Sequence, residues 1–328
     1  MSPRVRRPVT YALIGVLVLL NIVLIVLLLL RDPASASGEA GEYVPPSVGT
    51  SPEESSSGSG VEGDGPDESA SETPGETAEA PSESESDGPV EAALPVPAER
   101  LLASANGEVA WRAVVGDCQN PGTVELTTDG GATWSPTDTG LAPVTRLKAI
   151  TPTAVFAVGG VDPDCAPVYA GSVDGGNNWE QAPELVDGTW YIDPSDRAVL
   201  GTTVGEVEAP CEVAGLAGFD DASAALLCTD GSLSVSTDGG SSWTTTAEET
   251  GAVAVGLTLQ GYVLAGSAEG CEGTQLWTAG VEGSTAPVGC AEGAEPAAGQ
   301  TAVAGAGDAM WLWAGEETLV SNDGGASW

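Results

Sequence analysis

The chain has 328 residues with 48 acidic side chains, 9 basic side chains and no histidine, a formal net charge of −39. So acidic a protein repels phosphate groups, which excludes nucleic acid and anionic lipid surfaces as partners of its folded part. The absence of histidine excludes Ser-His-Asp chemistry and argues against zinc, so we expect no metal and no cofactor.

The N-terminus has the features of a membrane anchor. Three arginines lie in residues 1–10, and residues 11–30 follow with only Asn21 clearly polar. Twenty apolar residues can span a bilayer as one helix, and they exceed a usual signal-peptide core. Positively charged residues beside a membrane helix usually stay in the cytoplasm. The pattern therefore predicts that residues 1–10 form a cytoplasmic tail, that residues 11–30 form a signal-anchor helix and that the rest of the chain is extracytoplasmic. Residues 34–36 resemble a cleavage site, which leaves a released form as the alternative.

Residues 31–99 have the composition of a linker. From residue 32 to residue 99 there are 17 Asp or Glu residues and no Lys or Arg, among many Ser, Gly and Pro. A segment with so few apolar residues cannot bury enough surface to offset the entropy lost on ordering. We therefore expect this segment to be disordered. We interpret the segment as a solvated spacer before a folded domain at residues 100–328. Calcium capture is the alternative, although the acids lack EF-hand spacing.

Four eight-residue phrases, called DGG boxes here, organise the rest of the chain. They read TTDGGATW, SVDGGNNW, STDGGSSW and SNDGGASW. Asp before two glycines predicts a turn, because glycine accepts positive φ and Asp can bond to its own backbone. Each box follows a short alternating run, so it predicts the turn of a β-hairpin. We assign structural roles to the box residues Asp129, Trp134, Asp174, Trp179, Asp238, Trp243, Asp323 and Trp328.

The DGG boxes resemble the Asp-box, or bacterial neuraminidase repeat, of sialidases, sortilin-type receptors, photosystem II assembly factors and many exported bacterial proteins. The resemblance covers residues 100–328 and implies an all-β propeller in which each box closes the outer hairpin of a blade. It implies little about activity, because members of the family have unrelated functions. A single lysine among abundant Ala and Gly is similar to the composition of actinobacterial exported proteins.

The spacing of the boxes predicts five four-stranded blades. Asp129 and Asp174 lie 45 residues apart, and the 85 residues between the third and fourth boxes are close to two such periods. A decayed box is therefore expected near the middle of this gap, where Gly280 stands in the place of the Asp. The 64 residues between the second and third boxes are interpreted as one period plus an insertion within 184–211. We expect a segment within 91–105 to add the outer strand of the last blade, with an open sheet edge as the alternative.

The six cysteines all follow residue 117, which suits an oxidising compartment. Six cysteines allow fifteen pairings, but the predicted strand order places all of them on loops of one face. If each cysteine bonds to its neighbour on that face, the pairs are Cys118–Cys165, Cys211–Cys228 and Cys271–Cys290. Free structural thiols are the alternative.

Two groups of residues are candidate ligand contacts. The insertion holds an aromatic pair beside polar side chains, which can bind sugar rings or a peptide: Trp190, Tyr191, Asp193, Asp196 and Arg197. Arg146 and Lys148 are the only close basic pair in the predicted propeller and suit an anion near its channel. The alternatives are that the aromatic pair covers a small core and that carboxylates neutralise the basic pair.

The sequence offers no catalytic residue. Sialidases use an arginine triad, whereas only four arginines follow residue 99 and no Arg-Ile-Pro motif is present. The predicted inner strands contain no Asp or Glu for glycoside hydrolysis. We therefore expect a membrane-tethered extracytoplasmic propeller that acts as a binding or assembly module for an envelope protein or glycan. A carbohydrate-active enzyme with a non-sialidase site is the alternative, and a passive envelope spacer is a third class.

Overall fold

The computed structural model describes residues 93–246 and 251–328. The predicted cytoplasmic tail, the predicted membrane helix at 11–30 and the predicted linker as far as residue 92 lie outside the described residues. Among the residues described, no helix has both the length and the apolar character needed to cross a membrane.

The described residues form an all-β propeller of six antiparallel sheets, or blades. Blade 1 contains β1 (Arg100–Ser104), β2 (Ala110–Gly116), β3 (Pro121–Thr127) and β4 (Ser135–Thr137). Blade 2 contains β5 (Val144–Thr151), β6 (Ala154–Val161), β7 (Ala166–Ser172) and β8 (Glu180–Gln181). A 3-10 turn at Pro183–Leu185 leads to blade 3, with β9 (Tyr191–Ile192), β10 (Val199–Thr202) and β11 (Gly205–Glu208).

The second half of the ring repeats this plan. Blade 4 contains β12 (Val213–Gly218), β13 (Ala224–Cys228), β14 (Leu233–Ser236) and β15 (Thr244–Thr246). Blade 5 contains β16 (Ala252–Leu257), β17 (Tyr262–Gly266), β18 (Gly273–Ala279) and β19 (Thr285–Glu292). Blade 6 contains β20 (Thr301–Ala306), β21 (Ala309–Ala314) and β22 (Glu317–Ser321).

The prediction of five blades is wrong, because the presumed insertion within 184–211 is itself a short blade. Its three strands pair in the order β9-β10-β11. Counting by boxes misses this blade, since it contains no DGG box and its innermost strand has only two residues. The decayed repeat at Gly280 does correspond to a hairpin, between β18 and β19, where the Gly280 amide donates to the Ser284 carbonyl at 2.9 Å.

The second strand of a blade is the most deeply buried one because both of its faces pack on neighbouring blades. Every residue of β13, β17 and β21 is buried. The apolar clusters lie between blades, as in the cluster that joins Trp111 of blade 1 to Ala157 of blade 2. The fold is therefore held by blade-to-blade packing of unbroken apolar runs, as such runs predict.

The propeller has two faces with different chemistry. The face called the box face here carries the four DGG boxes and the inner hairpins, such as the β1–β2 turn. In each box the first glycine amide donates to a carbonyl of the inner hairpin, at 2.7–3.0 Å, and the four acceptors are Glu108, Thr153, Ala222 and Asp308. The opposite face, where the inner strands begin, carries the cysteines and is called the disulfide face.

Three disulfides link the predicted pairs, Cys118–Cys165, Cys211–Cys228 and Cys271–Cys290. The first joins blade 1 to blade 2, the second joins the end of blade 3 to blade 4, and the third lies within blade 5. The prediction of disulfide bonds is confirmed, because antiparallel strand order places all six cysteines on the disulfide face.

Residues 91–105 were expected to add the outer strand of the last blade, and their described part, residues 93–105, does not do so. Strand β1 pairs with β2 of its own blade, and β22 is the outermost strand of blade 6 among the described residues. The junction is an apolar cluster that includes Leu102, Trp311 and Trp313. The ring is thus completed by side-chain packing between the first and last blades.

Candidate functional site

The four DGG boxes have nearly identical hydrogen bonds. In the second box, the Ser172 hydroxyl donates to Asp174 Oδ1 at 2.8 Å and accepts the Gly176 amide at 2.8 Å. The Asn178 amide donates to the same Oδ1 at 2.9 Å, and its side chain donates to Oδ2 at 2.6 Å. Both box glycines have positive φ, 78° and 92° for Gly175 and Gly176. The boxes repeat this arrangement on four separate blades, so their carboxylates do not converge on one ligand.

Hydrogen bonds to the box carboxylates lower their pKa values. The residue four places after each Asp donates both a side-chain and a backbone hydrogen bond, which favours the charged form, and for Asp323 the Ser321 hydroxyl has the largest effect. The pKa falls to about 2 for Asp129, Asp174 and Asp323 and is also lowered for Asp238. In every box the carboxylate is occupied by its own turn.

The aromatic pair predicted to bind a ligand lies inside the molecule. Trp190 is 2% exposed and Tyr191 is 5% exposed. The Trp190 indole donates to the Asp220 carbonyl at 2.7 Å and stacks edge-on against Trp243 at 5.9 Å between centroids. The Tyr191 ring fills the space beside Gly201, where a Cβ would lie 1.9 Å from it. The pair therefore covers the small core of blade 3, which is the alternative that the sequence left open.

The polar residues of the same segment also bond to backbone. Asp193 Oδ1 accepts the amides of Ser195 and Asp196 at 2.8 and 2.9 Å, which shapes the turn after β9. Arg197 donates to the carbonyls of Val213 and Ala214 at 3.0 and 3.3 Å, and burial lowers its pKa. Arg197 thus connects blade 3 to blade 4, whereas Asp193 acts within its own turn, and the structure gathers no exposed cluster from these side chains.

The central channel is a concavity with a volume of about 230 Å³. A second concavity, of about 320 Å³, lies beside Pro97, Arg197 and Cys211. Five inner strands line the channel: β1, β5, β12, β16 and β20. Strand β9 contributes no lining residue, because it is short and set back between β5 and β12. Five of the six blades therefore form the channel wall.

Residues 94–99, called the strap here, cross the channel at the disulfide face. The Ala98 amide donates to the Ala214 carbonyl at the start of β12, at 2.8 Å, and the Glu99 amide donates to the Gly299 carbonyl before β20, at 2.9 Å. Ala98 is itself a lining residue. The strap thus lies at the disulfide-face end of the channel, and we call the opposite end, at the box face, the mouth.

Arg146 and Lys148 lie in the channel wall and bridge β5 to blades 3 and 4. Arg146 is 9% exposed, and its guanidinium donates to the carbonyls of Trp190 and Gly218. The Lys148 ammonium donates to the Phe219 carbonyl at 2.6 Å and to the Gly218 carbonyl at 3.4 Å. The alternative of carboxylate partners is not met: within the described part of the chain, the ion pair found is Arg112–Glu125.

Burial lowers the pKa of both cations. The pKa of Arg146 falls to about 10. The pKa of Lys148 falls to about 8 through burial and the neighbouring Arg146 charge, opposed by Asp220 and Asp221. Desolvation is the main physical cause in both cases, since a low-dielectric wall disfavours the charged form. With a pKa of about 8, the half-buried Lys148 remains mostly protonated at neutral pH, and its ammonium has one N–H more than its two carbonyl partners use.

Exposed aliphatic side chains lie around the mouth, and the sequence reasoning did not single them out. Leu259 is 65% exposed and lines the channel, and Ile150, next to the lining residue Ala149, is 58% exposed. Val173 and Val204 are exposed on the same face. Leu259, Val173 and Val204 lie at hairpin turns, where polar residues are usual, and that pattern could have identified them.

Acidic chemistry is absent from the described channel wall. None of its lining residues is Asp or Glu. Within residues 93–246 and 251–328, no group of three or more His, Cys, Asp or Glu side chains could hold a metal ion. The wall combines aliphatic side chains, strand backbone and cations.

No family model and no curated protein matches the chain. Among solved structures, YCF48 bound to a D1 peptide is 20% identical, with 72% of this chain and 81% of that chain covered and a TM-score of 0.27. A GH74 xyloglucanase from Xanthomonas campestris is 17% identical over 70% of this chain and 37% of that chain, with a TM-score of 0.28. The SapL1 lectin in complex with alpha methyl fucoside is 10% identical over 69% of this chain and 96% of that chain, with a TM-score of 0.39. Values this low carry no conclusion about ligand or activity.

Proposed function

We propose that this protein is a membrane-tethered, extracytoplasmic β-propeller that acts as a binding or assembly module for an envelope protein or glycan. The observation that carries the proposal is the channel mouth on the box face. All five inner strands that line the channel end there, and the exposed Leu259 is one of the lining residues. A concave site with an apolar rim and a few polar groups is the usual form of a binding site.

The tether and the compartment are supported by the sequence and by cysteine usage. Residues 11–30 are an apolar run preceded by arginines, and the DGG boxes resemble those of exported propeller proteins. Three disulfides and no free cysteine in the described residues suit an oxidising compartment. Each of these supports an extracytoplasmic propeller.

The entry point of the chain supports the choice of face. The strap enters the propeller on the disulfide face and covers the channel there. Because the strap lies at the disulfide-face end of the channel, the end at the box face is the one left for a partner. The ligand site is therefore assigned to the box face.

Glycoside hydrolysis has less support than binding. Most glycosidases place two carboxyl groups on either side of the scissile bond, whereas the described channel wall contains no Asp or Glu. The box carboxylates are occupied by their own turns. We therefore do not propose the carbohydrate-active alternative.

Site-specific photocrosslinking in intact cells tests the proposal. A benzophenone amino acid replaces Leu259 at the mouth or, as a matched control, the partly exposed Val114 of β2. We expect a discrete adduct with an envelope protein or glycan from position 259 and none from position 114. Equal adducts from both positions, or none from either, would refute the box-face site.

A further inference from the structure

The central channel has the shape of a small-molecule pocket with one covered end. The strap lies across the disulfide face, where Ala98 is bonded to β12 and Glu99 to the residue before β20. The box-face end is formed by the ends of the inner strands, including Ser104, Ala149 and Leu259. A ligand would enter from the box face and stop at the strap.

The charge in this pocket is positive although the protein is strongly acidic. Lys148 is the single lysine of the 328 residues, and it lies in the channel wall beside Arg146. The charged groups that act on it are Arg146 on its own strand and Asp220 and Asp221 in the β12–β13 hairpin. Its hydrogen-bond partners are two backbone carbonyls. A buried and a half-buried cation side by side, neither bonded to a carboxylate, would be stabilised by an anion between them and the mouth.

The rest of the wall suits an apolar body rather than a sugar. Most lining side chains are aliphatic or alanine, and they include Leu101, Leu216, Val255 and Leu257. One further polar group is unused: the buried Ser104 hydroxyl has no hydrogen-bond partner. A buried hydroxyl without a partner is costly, and a ligand oxygen would satisfy it.

The volume of the channel limits the size of its occupant. A cavity of about 230 Å³ holds about eight water molecules at roughly 30 Å³ each. A ligand with about eight to ten non-hydrogen atoms would displace that water. Benzoate and hexanoate have this size, one charge and an apolar body.

We propose that the channel binds a small organic monocarboxylate, with the carboxylate against the Lys148 ammonium and the apolar body between the inner strands. The inference rests on the proposed function in one respect: both place the binding site at the mouth on the box face. It does not depend on the identity of the envelope partner. A neutral or cationic molecule of the same shape lacks the ion pair and should bind poorly.

Titration calorimetry with benzoate tests this inference on the full-length protein in nanodiscs of zwitterionic lipid. We expect saturable binding of benzoate, whereas benzyl alcohol and benzylamine bind at least about tenfold more weakly. Lys148→Met should weaken benzoate binding at least about tenfold, and Lys148→Arg should retain most of it. Equal binding of benzoate and benzyl alcohol, or wild-type affinity in Lys148→Met, would overturn the assignment.

Amine labelling gives a second readout that does not depend on a variant that folds. An N-hydroxysuccinimide acetate ester acetylates Lys148, and the α-amino group of the chain is the internal reference in peptide mass spectrometry. Benzoate should slow labelling of Lys148 relative to the α-amino group, and benzyl alcohol should not. Unchanged labelling in the presence of benzoate refutes the carboxylate site, whereas crosslinking from position 259 tests the partner site separately.

Discussion

The guanidinium carbon of Arg112 lies 4.8 Å from the ring centroid of Trp313, so a cation of the first blade stacks on an aromatic ring of the last blade. The same guanidinium lies 4.2 Å from the Trp134 ring, and its Nε donates to Glu125 at 2.8 Å. Arg100 stacks on Trp313 as well, at 4.3 Å. These contacts complete the ring between blade 6 and blade 1, where many propellers would pair strands.

Removing the Arg112 stack should weaken ring closure. Arg112→Met keeps an apolar side chain but loses the cation–π contacts and the ion pair, so we expect the free energy of unfolding to fall by about 1–2 kcal/mol. Urea denaturation followed by tryptophan fluorescence measures the loss. The free energy of unfolding of Arg112→Lys should lie between those of the wild type and Arg112→Met, since a compact ammonium stacks less well on a ring than a guanidinium does. A midpoint for Arg112→Met equal to wild type would contradict the closure role.

Trp190→Ala should destabilise the fold, because the indole is buried between blades 3 and 4. Truncation of a buried Trp costs about 3–5 kcal/mol, and it also removes the hydrogen bond to the Asp220 carbonyl. Trp190→Phe retains most of the apolar contact and should cost less. Thermal melting of both variants measures the effect. Melting of Trp190→Ala at the wild-type temperature, with weaker partner capture, would instead restore the ligand-binding role expected from the sequence.

Acid should unfold the propeller in the range where the box carboxylates titrate. Asp129, Asp174 and Asp323 have folded pKa values of about 2, below the ordinary 3.8. A lowered folded pKa contributes stability that is present above the unfolded pKa and is lost as pH falls through the folded value. The melting temperature should therefore drop between about pH 4 and pH 2. Asp174→Asn should reduce this pH dependence, and an unchanged slope would count against the role of the boxes.

Loss of one box at neutral pH should be local and small. Asp238→Ala removes the acceptor for the Ser242 amide and hydroxyl and should lower the melting temperature by about 2–4 °C. Benzoate binding by the folded protein should be unchanged, because the box lies outside the channel lining. Loss of benzoate binding without a change in melting would place Asp238 in a binding site.

Removal of the Cys211–Cys228 bridge should destabilise the junction of blades 3 and 4. The cysteines are 17 residues apart, and closing a loop of that size stabilises by about 3 kcal/mol through the unfolded chain. The Cys211→Ala and Cys228→Ala double variant tests this by urea denaturation under non-reducing conditions. Peptide mapping of the wild type should recover the three bridges, and a Cys118–Cys290 peptide would contradict the strand register.

The repeating features of this fold could be read from the sequence because each depends on local chemistry. Asp followed by two glycines encodes the same turn four times, since positive φ and the Asp side chain act within a few residues. The cysteine pairs follow from the alternating direction of the strands. Blade 3 could not be predicted in this way, because its strands are short and it lacks a DGG box, so the sequence shows no local periodicity there.

The sequence by itself determined the β-propeller architecture, the box turns and the face that carries the disulfides, because those properties depend on short-range pattern and strand alternation. The tertiary structure alone decided which side chains are buried and which face the channel. Trp190 and Tyr191 are as aromatic in a core as at a surface, and only packing against Gly218 and Gly201 buries them. Lys148 likewise became a channel residue through the meeting of β5 with β12, a contact between residues about 70 positions apart. Such long-range contacts leave no periodic trace in a single sequence, because burial is set by neighbours distant along the chain.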